Sequence, residues 1–304
     1  LWPNKTGSRM DLFKYAQGQT FPVGTLYLVA TPIGNLADIT IRALHILMQV
    51  DGIACEDKRH SSSLLNAYGI SKPLYAIHEH NEKSASQYII EKLAQGERWA
   101  YISDAGTPGI SDPGATLCNE VRLAGFSTVP LPGSCAVVTA ISAAGDFLNN
   151  SNGLFQFLGF LPTKSTQRDA MINLAINSHV ASFFYEAPHR IEATLKALAA
   201  KTAATQRIFI AKELTKIFEE ITILNSDEIT QWLNQVKSWQ GEYVLGIEAS
   251  PKKPVESEFD ETTLAWINAI DTEIGHKDLS EIISKVTGMP KKDAYKHLLE
   301  LKQS

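Results

Sequence analysis

The sequence predicts an α/β fold, arranged as two α/β domains followed by a small C-terminal helical domain. Three observations carry that prediction. From residue 24 to residue 131, short apolar runs alternate with segments of helical periodicity, the pattern of a largely parallel sheet covered by helices. A stretch dense in glycine and proline, S-D-A-G-T-P-G-I-S-D-P-G from Ser103 to Gly114, directly follows the apolar run Trp99-Ala100-Tyr101-Ile102. Three glycines and two prolines in those twelve residues can continue neither strand nor helix, so they build a stiff loop at a strand's carboxyl end, where open α/β sheets bind ligands. Finally, the segment after P-K-K-P-V-E-S-E-F shows only helical periodicity.

Taken in order, residues 1–22 are polar and irregular and read as a mobile extension. Residues 24–30 (G-T-L-Y-L-V-A) form a strand, 39–48 a helix and 51–55 a second strand. A helix over 61–68 follows a serine cap, then a strand over 74–77 and a helix over 82–94 with Ala85, Tyr88, Ile89 and Leu93 on one face. After the Trp99 strand, Asp112-Pro113 reads as a helix N-cap with proline at the first helical position. Residues 126–131 are a strand and 134–144 a helix of small apolar residues. Beyond it, strands are predicted over 155–160, 181–185, 207–212, 218–223 and 243–247, with helices over 168–176, 190–199 and 227–236. Consecutive strands without an intervening helix imply a mixed sheet. Helices over 262–270, 279–286 and 291–301 close the chain. The expected domains are therefore 23–132, 133–250 and 261–304, with a linker at 251–260.

The chain's 304 residues, 44% hydrophobic and 20% charged, suffice for this organisation. A net charge of -5 gives no global attraction to nucleic acid, so any such site must be a local basic patch. The three cysteines, Cys55, Cys118 and Cys135, form no C-x-x-C pair, which argues against a disulfide framework or structural zinc and for a reducing, cytoplasmic setting. No apolar run approaches the length of a membrane span.

Four constellations sit at predicted strand ends. The first is Thr31-Pro32-Ile33-Gly34-Asn35-Leu36, with Asp38 and Arg42 just beyond. The second is Glu56-Asp57-Lys58-Arg59-His60, five ionisable residues after a buried strand. Such a run is costly unless solvated or paired, and Arg59 with His60 suits a phosphate. The third, Phe183-Phe184-Tyr185-Glu186-Ala187-Pro188-His189-Arg190, joins an aromatic strand to an acid and a His-Arg pair, a combination suited to a nucleoside-like ligand. The fourth is Ala211-Lys212-Glu213-Leu214-Thr215-Lys216, where Lys212 needs a partner or a cleft. Each also admits a plain reading as a turn, a cap or a solvated charge run. His78-Glu79-His80 lacks a third ligand at metal-binding spacing, so no metal site is assigned. The motifs of phosphate-binding loops, dinucleotide folds, serine esterases and zinc proteases are absent.

In order, the stretches T-L-Y-L-V-A-T-P-I-G-N-L-A-D, A-C-E-D-K-R-H-S, I-S-D-A-G-T-P-G-I-S-D-P-G, P-L-P-G-S-C-A, F-L-G-F-L-P, F-F-Y-E-A-P-H-R and A-K-E-L-T-K resemble the tetrapyrrole methylase superfamily. More closely they resemble its branch that methylates a cytidine 2'-oxygen in 16S rRNA of the small ribosomal subunit. The match runs from Thr25 to about Ile247. The resemblance implies S-adenosylmethionine as methyl donor, a donor cleft between the two α/β domains, and a homodimer. It places the donor against Pro32, Asp104, Gly106, Thr107, Ile110, Ser134, Cys135, Tyr185 and Leu214. Two departures stand out: Lys58 where the family usually has threonine, and Ser134 where it usually has proline.

Transfer to a hydroxyl requires alignment, worth up to ~7–11 kcal/mol, and a proton acceptor, worth roughly 10²–10⁴-fold. The candidates for the acceptor are Glu56, Asp57, Glu186 and Lys212. Asn35, Arg42, Arg59, His60, His189 and Arg190 are expected to hold the RNA. Two other readings stay open: a methylase of a small tetrapyrrole, and a non-catalytic RNA-binding ribosome assembly factor. Six lysines against four acids in 277–302 permit RNA contact or plain scaffold packing.

Overall fold

The structure is a computed structural model that describes residues 12–78, 81–250, 266, 270 and 274–301. The expected linker and most of the helix over 262–270, together with Glu79 and His80, lie outside the described residues. The chain divides into one compact unit ending at Ser250 and another beginning at Pro251.

The first unit holds two five-stranded sheets. Strands β1 (Thr25–Val29), β2 (Gly52–Cys55), β3 (Leu74–Ala76), β4 (Arg98–Ile102) and β5 (Ser127–Leu131) lie in the order β3-β2-β4-β1-β5, all parallel. Alternate residues serve opposite faces. Tyr27, Val29, Ile53, Cys55 and Ile102 pack with Ile46 and Leu47 of α2 (Ile41–Gln49) and Leu65 of α3 (Lys58–Ala67). Leu26, Ala54 and Tyr101 pack with Ile89 of α4 (Glu82–Ala94) and with Leu117 and Val121 of α5 (Ala115–Leu123). Each fully buried large apolar side chain contributes roughly 1.5–3 kcal/mol, so these two faces hold the layers together.

The register places Val29, Cys55, Ile102 and Leu131 abreast, and four loops therefore leave from one edge of the sheet. The chain runs from β1 past β4 to β2, and from β4 past β1 to β5, on opposite faces. This reversal opens a crevice over β1 and β4.

The second sheet is mixed, as consecutive strands predict. Its order is β6-β7-β10-β8-β9, formed by β6 (Phe155–Phe160), β7 (Ala181–Glu186), β8 (Arg207–Lys212), β9 (Glu220–Asn225) and β10 (Tyr243–Ile247). Only β6 and β7 pair in parallel. One face, with Phe184, Ile208, Ile210 and Leu245, is covered by α7 (Ser165–Ile176) and α8 (Ile191–Lys201). The other, with Phe183, Phe209, Ala211 and Val244, packs against α6 (Ala136–Ser142), Phe147 and Ile33 of the first sheet's β1 loop.

Several boundaries differ from expectation for local reasons. The helix after β2 starts at Lys58 rather than at Ser61, because Asp57 caps it by accepting from the backbone N–H groups of Arg59 and His60. The helix after the long loop starts at Ala115, so Asp112 is not its cap. The strand expected over 218–223 starts at Glu220, behind left-handed Glu213 and Thr215, and leaves Phe218 exposed. The helix expected over 227–236 is shortened to Ile229–Leu233 behind a capping box of Asn225 and Glu228. Within the expected N-terminal extension, Lys14–Gln17 is a short helix, α1, with Ala16 buried.

In the second unit, helices His276–Thr287 and Lys291–Leu301 close around Leu279, Ile283, Met289, Ala294 and Leu298.

Candidate functional site

The loops at the carboxyl ends of β1 and β4 are tied together by backbone. Thr31 and Gly106 exchange both N–H···O bonds, at 2.9 and 3.0 Å. Buried Thr31 also donates through its hydroxyl to the Ser103 carbonyl (3.2 Å), and the Ser103 hydroxyl donates to the Gly106 carbonyl (3.1 Å). Gly106 adopts φ 81°, the left-handed region that costs a side chain most, and it turns the loop back over β1. Thr107 Oγ1 then donates to the Ser134 carbonyl (2.9 Å), while Ser134 Oγ donates to the Asp38 carbonyl (3.2 Å). From the second sheet, Tyr185 reaches across, and its hydroxyl accepts from the Val137 backbone N–H at 3.1 Å. Burial pushes the Tyr185 phenol up in pKa, helped by Cys135 and then Asp112.

These pieces enclose a cavity of about 320 Å³, within the range of small-molecule sites. Six of the nine residues expected at the donor line it: Gly106, Thr107, Ile110, Cys135, Tyr185 and Leu214. The other three are not among its lining residues. Pro32 is buried next to Thr31, Ser134 braces the Thr107 turn, and Asp104 accepts from the Asp57 backbone N–H at 3.2 Å. Among the described residues no lysine or arginine lines the cavity.

Further acids crowd around Asp112 in its wall. Burial raises the Glu56 carboxyl, and Asp104 and then Asp57 add to the rise. Burial, Glu56 and Asp104 push Asp112 up to about 6. Asp57 is held low by the backbone N–H groups that it caps. Uncompensated carboxylates around a small cavity favour a cationic ligand and repel phosphate.

The remaining expected residues separate into two groups. Arg59 and His60 are exposed on the first turn of α3, and Arg42 is the second residue of α2. Asn35 is exposed, but its side chain is occupied capping the turn at Ala37 (3.0 Å). His189 is exposed in the turn after β7.

Glu186 and Arg190, in contrast, are consumed by each other in an ion pair of 2.6 Å. Glu186 also accepts from Thr194 Oγ1 (2.6 Å) and the Ala187 N–H (2.8 Å), and Arg190 donates to the Leu161 carbonyl (3.0 Å). Neither is free to act as base or to grip phosphate. Lys212 donates to the Ser238 carbonyl at 2.8 Å and lines a different groove, of about 1000 Å³, with Trp232 and Tyr243.

Sequence reasoning missed Asp112, Phe160 and Glu242 in the cavity wall. Asp112 was masked by its resemblance to a cap. The α5 amides are instead met by Glu82 of α4, whose Oε1 accepts from Gly114, Thr116 and Leu117 at 3.0–3.2 Å. Among the described residues no group of three or more His, Cys, Asp and Glu is placed to hold a metal ion, and no helix is long and apolar enough to cross a membrane.

The family model for Tetrapyrrole (Corrin/Porphyrin) Methylases matches residues 25–230. Among similar proteins, one named ribosomal RNA small subunit methyltransferase I from Pasteurella multocida is 44% identical over 279 residues, covering 91% of this chain and 97% of its own. Proteins of the same name from Haemophilus influenzae and Escherichia coli O157:H7 are 43% and 39% identical, covering 90% and 91% of this chain and 95% of each of their own. Among solved structures, a cobalt precorrin-4 methyltransferase of cobalamin biosynthesis aligns with TM-score 0.53 at 14% identity, over 73% of this chain and 94% of its own. A uroporphyrin-III-C-methyltransferase from Thermus thermophilus aligns with TM-score 0.52 at 17% identity, over 74% and 94%. These two likenesses concern the fold alone.

Proposed function

The chain belongs to the tetrapyrrole methylase family, and from that premise we propose that it methylates the 2'-oxygen of a cytidine in 16S rRNA of the small ribosomal subunit, using S-adenosylmethionine. The observation that carries the donor assignment is the small cavity at the strand ends, walled by backbone-rich loops and lacking a lining cation among the described residues. A sulfonium donor supplies an already activated methyl group, so the protein's task is to hold, orient and deprotonate. Gly106, Thr107, Ile110, Cys135, Tyr185 and Leu214 are the walls against which it would be held. Asp104, Pro32 and Ser134, next to those walls in the chain, are proposed as donor contacts with them. Exposed Arg59 and His60, with Arg42 and His189 in support, are the groups proposed to meet RNA phosphates. Arg190 and Glu186 are left out of that role by their ion pair.

RNA is favoured over a small tetrapyrrole by the similar proteins named for ribosomal RNA, which share 38–44% of residues with this chain. We read the halves 23–132 and 133–250 as the two domains that flank the donor. A cytoplasmic homodimer remains part of the proposal, checked by light scattering of the purified chain.

The test offers isotopically labelled donor together with small subunits, naked rRNA and a uroporphyrinogen-type substrate. Label recovered as 2'-O-methylcytidine from 16S rRNA is expected. Label only in the tetrapyrrole contradicts the reading, and no label anywhere favours a binding factor.

A further inference from the structure

The groove of about 1000 Å³ beside Lys212 shares a wall with the cavity at the strand ends. Beyond β8, Glu213 lines the groove and its neighbour Leu214 lines the cavity. Before β10, Gly241 lines the groove and Glu242 the cavity, and Tyr243 lines both. Residues one step apart, about 3.8 Å between Cα atoms, thus face the two spaces. Tyr243 is 3% exposed, and its hydroxyl has no hydrogen-bond partner among the described residues. A buried hydroxyl left unpartnered opposes folding, so the fold itself gives no reason to keep it there.

The groove combines aromatic faces with polar edges. Phe218, Trp232 and Tyr243 line it together with Gln235, Gln240 and Lys212. The Lys212 ammonium, held 2.8 Å from the Ser238 carbonyl, stands 5.9 Å from the centre of the Tyr243 ring. Phe218 is 76% exposed, yet the loop that carries it is tied down. Lys216 pairs with Glu213 at 2.7 Å and with Glu242 at 2.8 Å. Glu213 (φ 51°) and Thr215 (φ 68°) are both left-handed, on either side of Leu214. Non-glycine residues adopt that conformation at a cost, and it clusters at functional sites. The chain spends strain and two ion pairs to hold out an aromatic ring beside a groove.

We propose that this groove receives an unpaired nucleobase of the substrate RNA, that of the nucleotide next to the methylated one. The proposal rests on reading the chain as an rRNA methyltransferase. A ribose that enters the cavity brings its strand with it, and the shared wall places the groove where the adjoining nucleotide must lie. The base stacks on Phe218. Its edge meets the Tyr243 hydroxyl and the amides of Gln235 and Gln240, which offer both donors and acceptors. The occupant is a base rather than a phosphate, because Glu213, Glu219 and Glu220 line the groove against only Lys212 and Lys237. That balance repels an anion and leaves a neutral ring free to stack.

The test compares wild type, Phe218→Ala and Tyr243→Phe in steady-state transfer to small subunits, with donor affinity by calorimetry, urea unfolding and light scattering. Phe218→Ala is expected to raise KM for small subunits roughly 5–150-fold, the range that base–aromatic stacking supplies, with kcat and donor affinity near wild type. Tyr243→Phe removes only a hydroxyl that the fold leaves unpartnered. It should keep its unfolding midpoint while KM rises by a smaller factor. A rise in KM in either variant at wild-type donor affinity supports the proposal, and an unchanged KM in both overturns it. A fall in donor affinity that matches the loss of transfer also overturns it, by making the groove part of the donor site. So does a changed oligomeric state in Phe218→Ala, by making the loop a contact with a second copy. If wild type labels no small-subunit RNA, the functional reading fails and the proposal with it, an outcome distinct from an active wild type with unaffected variants.

Discussion

Two loops with nearly the same sequence signature end in opposite states. After β2 the chain reads C-E-D-K-R-H, and after β7 it reads Y-E-A-P-H-R. Both place an acid at a buried strand's end and a His/Arg pair within the next four residues. At the first, Glu56 makes no ion pair among the described residues, and burial and then Asp104 raise its carboxyl more than His78 lowers it. At the second, Glu186 is 2% exposed and saturated by Arg190, Thr194 and a backbone amide. Burial decides the difference. A fully buried charge must be paired and hydrogen-bonded, whereas a partly exposed one can be left uncompensated and available. Charge that the fold neutralises is scaffold, and charge that it leaves unpaired marks the working edge.

The largest effect expected from this contrast is on stability. Glu186→Ala strands the Arg190 guanidinium inside, and Arg190→Ala strands the Glu186 carboxylate. Each should cost on the order of 3–5 kcal/mol in urea unfolding. The double variant should lose clearly less than the sum, because the two share one interaction. Glu56→Gln should leave the unfolding midpoint almost unchanged. Equal costs at the two acids would break the comparison.

Next in size is the cap in trans. Glu82→Ala removes one carboxylate from the Gly114 amide and two α5 amides and should cost about 0.5–2 kcal/mol, with hydrogen exchange rising first at Thr116 and Leu117. Asp112→Ala should show no such local opening. If it does, Asp112 caps the helix after all.

The smallest effect is the pH dependence of stability carried by Asp112. Its folded pKa, about 6, lies above its ordinary 3.8, so the folded state binds the proton more tightly than the unfolded one. Its contribution is then greatest below the ordinary value and is lost as pH rises through about 6. Asp112→Asn should therefore melt higher than wild type at pH 7.5, with the gap closing near pH 4. A variant that melts lower at neutral pH contradicts the assignment of an uncompensated carboxyl.

Much of this was legible in the sequence. Strand and helix alternation marks the parallel sheet, because its strands are buried on both faces and read as short apolar runs. The Ser103–Gly114 loop announces itself by glycine and proline, and it supplies Gly106, Thr107 and Ile110 to the cavity wall. Pairings between distant segments were not legible. That Glu82 would relieve Asp112 of capping depends on α4 and α5 lying side by side, 32 residues apart in the chain for the Gly114 contact. That Glu186 and Arg190 would spend their charges on each other depends on a turn that folds an i,i+4 pair together outside any helix. Lys212 looked equally free until its strand placed it beside the Ser238 carbonyl.

The most direct measurement runs Glu186→Gln and Asp112→Asn side by side, recording unfolding free energy and donor affinity by calorimetry on folded protein. The account predicts a crossed result. Glu186→Gln loses stability with a modest change in donor affinity, and Asp112→Asn keeps or gains stability while its donor affinity falls. If Glu186→Gln abolishes donor binding in the folded fraction while Asp112→Asn binds normally, the paired acid is the working one and the account is wrong.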